Sequence, residues 1–404
     1  MKRVALNGPV FPESNFTMKS ISFNRLPYAL VLPLLLALPA ATQGAYTFTN
    51  TTVPVLPRRA SIILIQCEGL GYGDLSCYGQ KNFQTPIIDK LATEGVRFTN
   101  YSIIGPSVPT CASLMLGRDQ AHLRQATNSD LPLATDETTV AQILKSGGYH
   151  TGMVGEWNLG DENSSGAPWN KGFDEFAGYL NAPDAANFYA DYIFRYAPGL
   201  GKQTTPDSQA VFIGREMIYH NTAGMQGKYI PEFLTDCALN FIKNHVPDHL
   251  NNYQPFFLVL DYKIPGAGKS QVQTDAPFSE EQWPQPAKNK AAMIAHLDGD
   301  IARIQEQLQK HGMTNNAVVF FTSSSLPQTN AVVAPSFFKS TLSPNELRAP
   351  MIVWWPGHIP AGQVSDYPCS AADFLPTAAD IGLVRPPAGI NGTSFLPALL
   401  GQGN

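Results

Sequence analysis

Short apolar runs alternate with amphipathic segments along most of the chain, and that alternation predicts a layered α/β fold. Ala60 to Ile65 is a β-branched apolar run ending in a Gly-rich turn, the pattern of a strand buried on both faces of a parallel sheet. Asp89 to Gly95 predicts a short helix and Gly95 to Tyr101 a second strand. Further along, Thr138 to Ser146 predicts a helix stopped by Gly147-Gly148, followed by a strand over Tyr149 to Val154. Phe233 to His245 and Ala287 to His311 predict helices, and each precedes an apolar strand, Pro255 to Tyr262 and Ala317 to Ser323. Met351 to Gly357 is the last clear strand and Ser370 to Ile381 the last clear helix. Strands separated by helices at this spacing predict a doubly wound, mostly parallel sheet with helices on both faces, whose ligands sit at the carboxyl ends of the strands. Pro183 to Gln226 is the least patterned region and reads as an insertion of loops and short helices.

Composition adds limits. The 404 residues, 44% hydrophobic and 10% aromatic, are ample for a large core. A net charge of -5 supplies no basic surface for nucleic acid. Basic residues Lys2, Arg3, Lys19 and Arg25 precede the apolar run Ala29 to Ala41, and small residues follow to Ala45. This is the pattern of a signal peptide over residues 1–45, with an extended basic region and Met18 as an alternative start. The run is broken by Pro33 and Pro39 and is shorter than the roughly 20 residues a membrane span needs. Residues 46–404 are therefore expected as an exported domain (secreted, periplasmic or in a secretory lumen) with no membrane span after cleavage. The five cysteines match no zinc-site spacing and read as buried structural residues with room for one disulfide.

Gly69 to Gly79, then Thr85 to Ala92 and Glu94 to Phe98, resemble the opening of the arylsulfatase-type sulfatases. Leu144 to Gly155, Pro255 to Leu258, Arg348 to Gly357 and Asp373 to Thr377 resemble later blocks of the same family in the same order. The resemblance implies the alkaline-phosphatase-like version of the fold just predicted, ending before most of the family's small carboxyl-terminal sheet domain. It also implies hydrolysis of sulfate esters by a Cys or Ser converted to formylglycine, beside Ca²⁺ held by carboxylates and an amide. A ring of Lys, Arg and His would stabilise the anionic transition state and protonate the leaving group.

Position by position, little of that machinery is present. The family's paired aspartates are replaced by Glu68 and Gly69, and its Ser-Asp-Asn-Gly by Ser323, Ser324, Ser325 and Leu326. That leaves Glu68 as the one metal carboxylate, too little to dehydrate Ca²⁺ well. Ser107 stands at the nucleophile position with Pro109 after it, but the supporting Arg is Cys111. Gly-Lys-Trp-His-Leu-Gly has become Gly155 to Gly160, with Glu156 for the lysine and Asn158 for the histidine, and a further His is replaced by Gly266. Lys339, nine residues before Arg348, keeps its charge. These positions are expected to converge on one cleft, with Ser107 at the base and Lys339 at the rim. There Glu68 and Glu156 would repel one another at a cost on the order of kcal/mol. Ser107 also reads as a helix cap, and Asp74 and Asp373 as caps of turns or helices. Together these features predict an exported sulfatase homologue that keeps fold and cleft without the catalysis, its ligand a glycan or a sulfated or phosphorylated small molecule. The alternatives are a divergent sulfuric or phosphoric ester hydrolase using Ser107 and an altered metal site, and a decaying paralogue without a selected role.

Overall fold

The computed structural model describes residues 59–199, 211–264, 274–327 and 347–402. The signal peptide expected over residues 1–45, Gly266 and Lys339 lie outside the described residues. Twelve strands are described: β1 (Ser61–Cys67), β2 (Val96–Phe98), β3 (Tyr101–Ser102), β4 (His150–Glu156), β5 (Glu175–Tyr179), β6 (Tyr192–Pro198), β7 (Val211–Met217), β8 (Phe256–Tyr262), β9 (Ala317–Ser323), β10 (Met351–Trp354), β11 (Gln363–Ser365) and β12 (Cys369–Ser370). Ten of them form one sheet in the order β11-β2-β10-β9-β1-β8-β4-β5-β6-β7, and β3 pairs with β12 beside it. The centre, β9-β1-β8-β4-β5, is parallel throughout.

Why the centre is buried is visible in its alternation. Ile62, Leu64, Phe257, Val259, Val318 and Phe320 point into one layer, and Ile63, Ile65, Leu258, Leu260, Val319 and Phe321 into the other. The first layer is built by α2 (Ser107–Leu116), α3 (Val140–Ser146), α7 (Phe374–Gly382) and α8 (Leu396–Leu399), the second by α1 (Pro86–Glu94), α5 (Ile230–Asn244) and α6 (Gln285–Lys310). A short α4 (Ala182–Ala185) follows β5. Asp74 and Asp373 act as caps: Asp74 accepts from the Gly71 backbone at 2.6 Å, and Asp373 from Ser370 at 2.7 Å and Thr393 at 2.6 Å.

Two expectations are corrected. The region 183–226 contains an antiparallel hairpin, β6 and β7, that extends the sheet from β5, together with the expected short helical turns. Its outer strand alternates exposed and half-buried residues, so no apolar run marks it. All five cysteines are free thiols, with no disulfide among them. Burial holds the Cys67 and Cys111 thiols protonated.

Candidate functional site

The polar residues begin where the apolar runs end. On the face toward α2, the run Ile62, Leu64 of β1 continues to Gln66, and Phe257, Val259 of β8 to Asp261, and both polar residues are buried. Gln66 and Asp261 are direct neighbours across the sheet, and Gln66 Nε2 donates to Asp261 at 2.5 Å. Cys111, on the buried side of α2, points at the same carboxyl, its sulfur 3.7 Å from Asp261 and 3.3 Å from Gln66 Nε2. Burial, and then the neighbouring Glu156, push the Asp261 carboxyl well above the usual range.

Above these residues lie the loops after the strands. Ser107 is the first residue of α2, and the cap position belongs to Pro106, so the capping expectation for Ser107 does not hold. Its hydroxyl lies 3.3 Å from that of Ser324 and 3.9 Å from the Cys111 sulfur. Gly69 has φ +75°, a backbone state that suits glycine, and its N–H donates to Ser325 at 2.9 Å. Gly155, at φ +114°, lets β4 press on β8: a Cβ there would sit 2.0 Å from the Asp261 carbonyl oxygen. The residue after it, Glu156, is near enough to Asp261 to push its carboxyl up.

Lys263, just beyond β8, changes the electrostatics expected from Glu68 and Glu156. Its ammonium donates to Glu68 and lies 3.2 Å from Glu156, so the two carboxylates share a cation instead of facing each other. Burial favours the neutral amine, but Glu156 and Glu68 outweigh it and hold the Lys263 pKa above the ordinary lysine value. Glu156, 3% exposed, is pushed up to about 7, mainly by burial and then by Glu68, with Lys263 and the Asn158 amide acting the other way. The sequence reading missed Lys263. A charge just beyond the carboxyl end of a buried strand is the signal that could have found it.

The structure therefore brings Glu68, Gly69, Ser107, Cys111, Glu156, Asn158, Ser324 and Ser325 to the carboxyl ends of β1, β4 and β9 and the start of α2. The donor set does not suit Ca²⁺. Glu68 is engaged by an ammonium, Gly69 offers no side chain, and Ser325 accepts from the Gly69 backbone. Ser324 is tied to Ser107 and to the Cys67 carbonyl. A hard divalent cation needs several free, negatively charged oxygens, and here it would meet Lys263 first. Beside the cleft, sharing Tyr179 with its wall, lies a cavity of about 470 Å³. It is lined by Tyr192, Arg215 and Asn181, and by the carboxylates Asp161, Glu162 and Asp184.

Comparison with known proteins gives a consistent result. A family model described as Sulfatase matches residues 60–382. The N-acetylgalactosamine-6-sulfatase of Homo sapiens is 30% identical over 380 residues, covering 85% of this chain and 66% of that protein. The arylsulfatase of Hemicentrotus pulcherrimus is 31% identical over 350 residues, covering 80% and 58%. The crystal structure of Ps i-CgsB in complex with k-i-k-neocarrahexaose superposes with a TM-score of 0.67 at 26% identity, covering 86% of this chain and 77% of that one. This chain spans about two thirds of the first relative's length and less of the second's.

Proposed function

The chain belongs to the sulfatase family, and from that premise we propose that it is a member that hydrolyses no esters in the inherited cleft and binds its ligand beside it. The observation that carries the proposal is the Glu68–Lys263–Glu156 bridge, in which a tethered ammonium fills the role of a cation between the one remaining metal-position carboxylate, Glu68, and Glu156, which replaces a lysine. Two further features support it. The residue at the family's acid/base position is Asn158, an amide that transfers no proton near neutral pH. Cys111 adds no positive charge beside Ser107, and loss of a single charge-stabilising donor typically costs about 10²- to 10³-fold in rate.

The ligand we propose is a carbohydrate bound in the cavity beside the cleft. Tyr192 offers a ring face, with Arg215 4.2 Å from its centroid, and Asn181 and the carboxylates offer hydroxyl partners. The related Ps i-CgsB structure holds an oligosaccharide. Three carboxylates against one arginine favour a neutral or amine-bearing sugar over a sulfated one. Export through the leader over 1–45 belongs to the same proposal.

The test is release of a chromogenic phenol from aryl sulfate and aryl phosphate esters, with Ca²⁺, Mg²⁺ or Mn²⁺ supplied. The rate should equal that of the Ser107→Ala variant. Turnover that Ser107→Ala abolishes would overturn the proposal in favour of a Ser107-dependent ester hydrolase.

A further inference from the structure

At the opposite end of the sheet, three elements deliver metal-binding side chains to one point. His150 is the first residue of β4, Glu175 the first of β5, and His245 follows the last residue of α5. The Nε2 atoms of both histidines face one oxygen of Glu175, at 3.4 Å for His150 and 2.7 Å for His245. The three ligand atoms all lie within 4.8 Å of one another. Their side chains are 27%, 35% and 21% exposed, open enough for an ion to enter.

A second observation points the same way. Asp174 Oδ2 lies 3.8 Å from His150 Nδ1, the ring nitrogen turned away from Glu175. Asp174 is itself held by the Thr151 backbone at 3.0 Å, the Thr151 hydroxyl at 2.9 Å and Lys145 at 2.6 Å. At 3.8 Å the contact is electrostatic and short of a hydrogen bond, and a small turn of the ring would make it the carboxylate–imidazole pair that orients histidine ligands in metal sites.

We propose that His150, Glu175 and His245 form a binding site for a divalent transition metal of the Zn²⁺ class, remote from the sulfatase cleft. Two imidazoles and one carboxylate are a donor set for Zn²⁺, with a water in the fourth position. The rings are stacked, with centroids 3.7 Å apart and planes at 22°, so closure on the ion fans them apart. The bound metal would pin the carboxyl end of α5 to the start of β4 and β5. It is independent of the proposed function of the cleft.

The experiment is isothermal titration of the metal-free full chain with Zn²⁺, with Ca²⁺ as control. One equivalent of Zn²⁺ should bind and raise Tm, and Ca²⁺ should do neither. His245→Ala and Glu175→Gln should each weaken binding more than about 100-fold, and Asp174→Asn about tenfold. On the unaltered protein, bound Zn²⁺ should protect His150 and His245 from carbethoxylation, mapped by peptide mass spectrometry, which needs no variant to fold. Absence of stoichiometric binding, binding unchanged in both ligand variants, or no protection of the two histidines would overturn the assignment.

Discussion

The two ends of the sheet carry charge clusters of opposite construction. At the carboxyl ends of the strands one ammonium, Lys263, lies between the carboxylates Glu68 and Glu156. At the amino ends one carboxylate, Glu175, lies between the imidazoles His150 and His245. The first supplies its own permanent cation, which already engages both carboxylates that a hard metal would need. The second consists of groups that bind either a proton or a soft metal. Balanced charge at both ends thus leads to opposite expectations for ligands, and the identity of the central group decides which.

Removing the central group should have the largest effect. Lys263→Met leaves two carboxylates facing each other in a largely buried setting, and breaking such a pair costs roughly 3 kcal/mol. Urea unfolding at pH 8 measures this; a loss below about 1 kcal/mol would mean that the bridge is incidental. The next effect follows from Glu156, raised from 4.5 to about 7. The folded state then holds a proton that the unfolded state has released between those values, so wild-type stability should fall as pH climbs from 4.5 to 7 and level off above. The share due to Glu156 should be on the order of 2 kcal/mol and be lost in Glu156→Gln, leaving the same-signed slope of the raised carboxyls Asp261, Asp298 and Asp300; an undiminished slope in that variant would assign the whole fall to those groups.

The amino-terminal end predicts the reverse sign with a smaller size. Glu175 is lowered from 4.5 to about 2, so its ionised form stabilises the metal-free protein above 4.5, and that contribution is lost as pH falls toward 2. Because the side chain is 35% exposed, screening reduces the effect to about 1 kcal/mol. Glu175→Gln should be less stable than wild type near pH 5, with the gap closing by about pH 2.5 under a chelator. A gap that persists in acid would point to packing, not charge.

How far the sequence foretold this depends on what each segment buries. The central strands were legible because both of their faces are apolar, as in Ile62 to Ile65 and Phe256 to Leu260. Helix ends shifted by a few residues, as in α6, expected over Ala287 to His311 and found over Gln285–Lys310. The hairpin β6–β7 escaped notice because Val211 to Met217 lies at the sheet edge and alternates half-buried with exposed residues, without an apolar run. In the cleft, motif order located Glu68, Ser107, Cys111, Glu156 and the serines after β9. Lys263 lies in none of the motifs compared, so only the packing of β8 beside β1 and β4 discloses its partners. His150, Glu175 and His245 span 95 residues and meet only through the parallel pairing of β4 with β5 and the helix crossing above them.

If the proposal holds, Lys263 and not a metal balances the carboxylates of the cleft. Calorimetric titration of the wild-type chain with Ca²⁺ to millimolar concentration tests it most directly. No saturable heat and no rise in Tm are expected, since a ligand stabilises only when its concentration exceeds its dissociation constant. Saturable Ca²⁺ binding with a raised Tm, both abolished by Glu68→Gln, would contradict it.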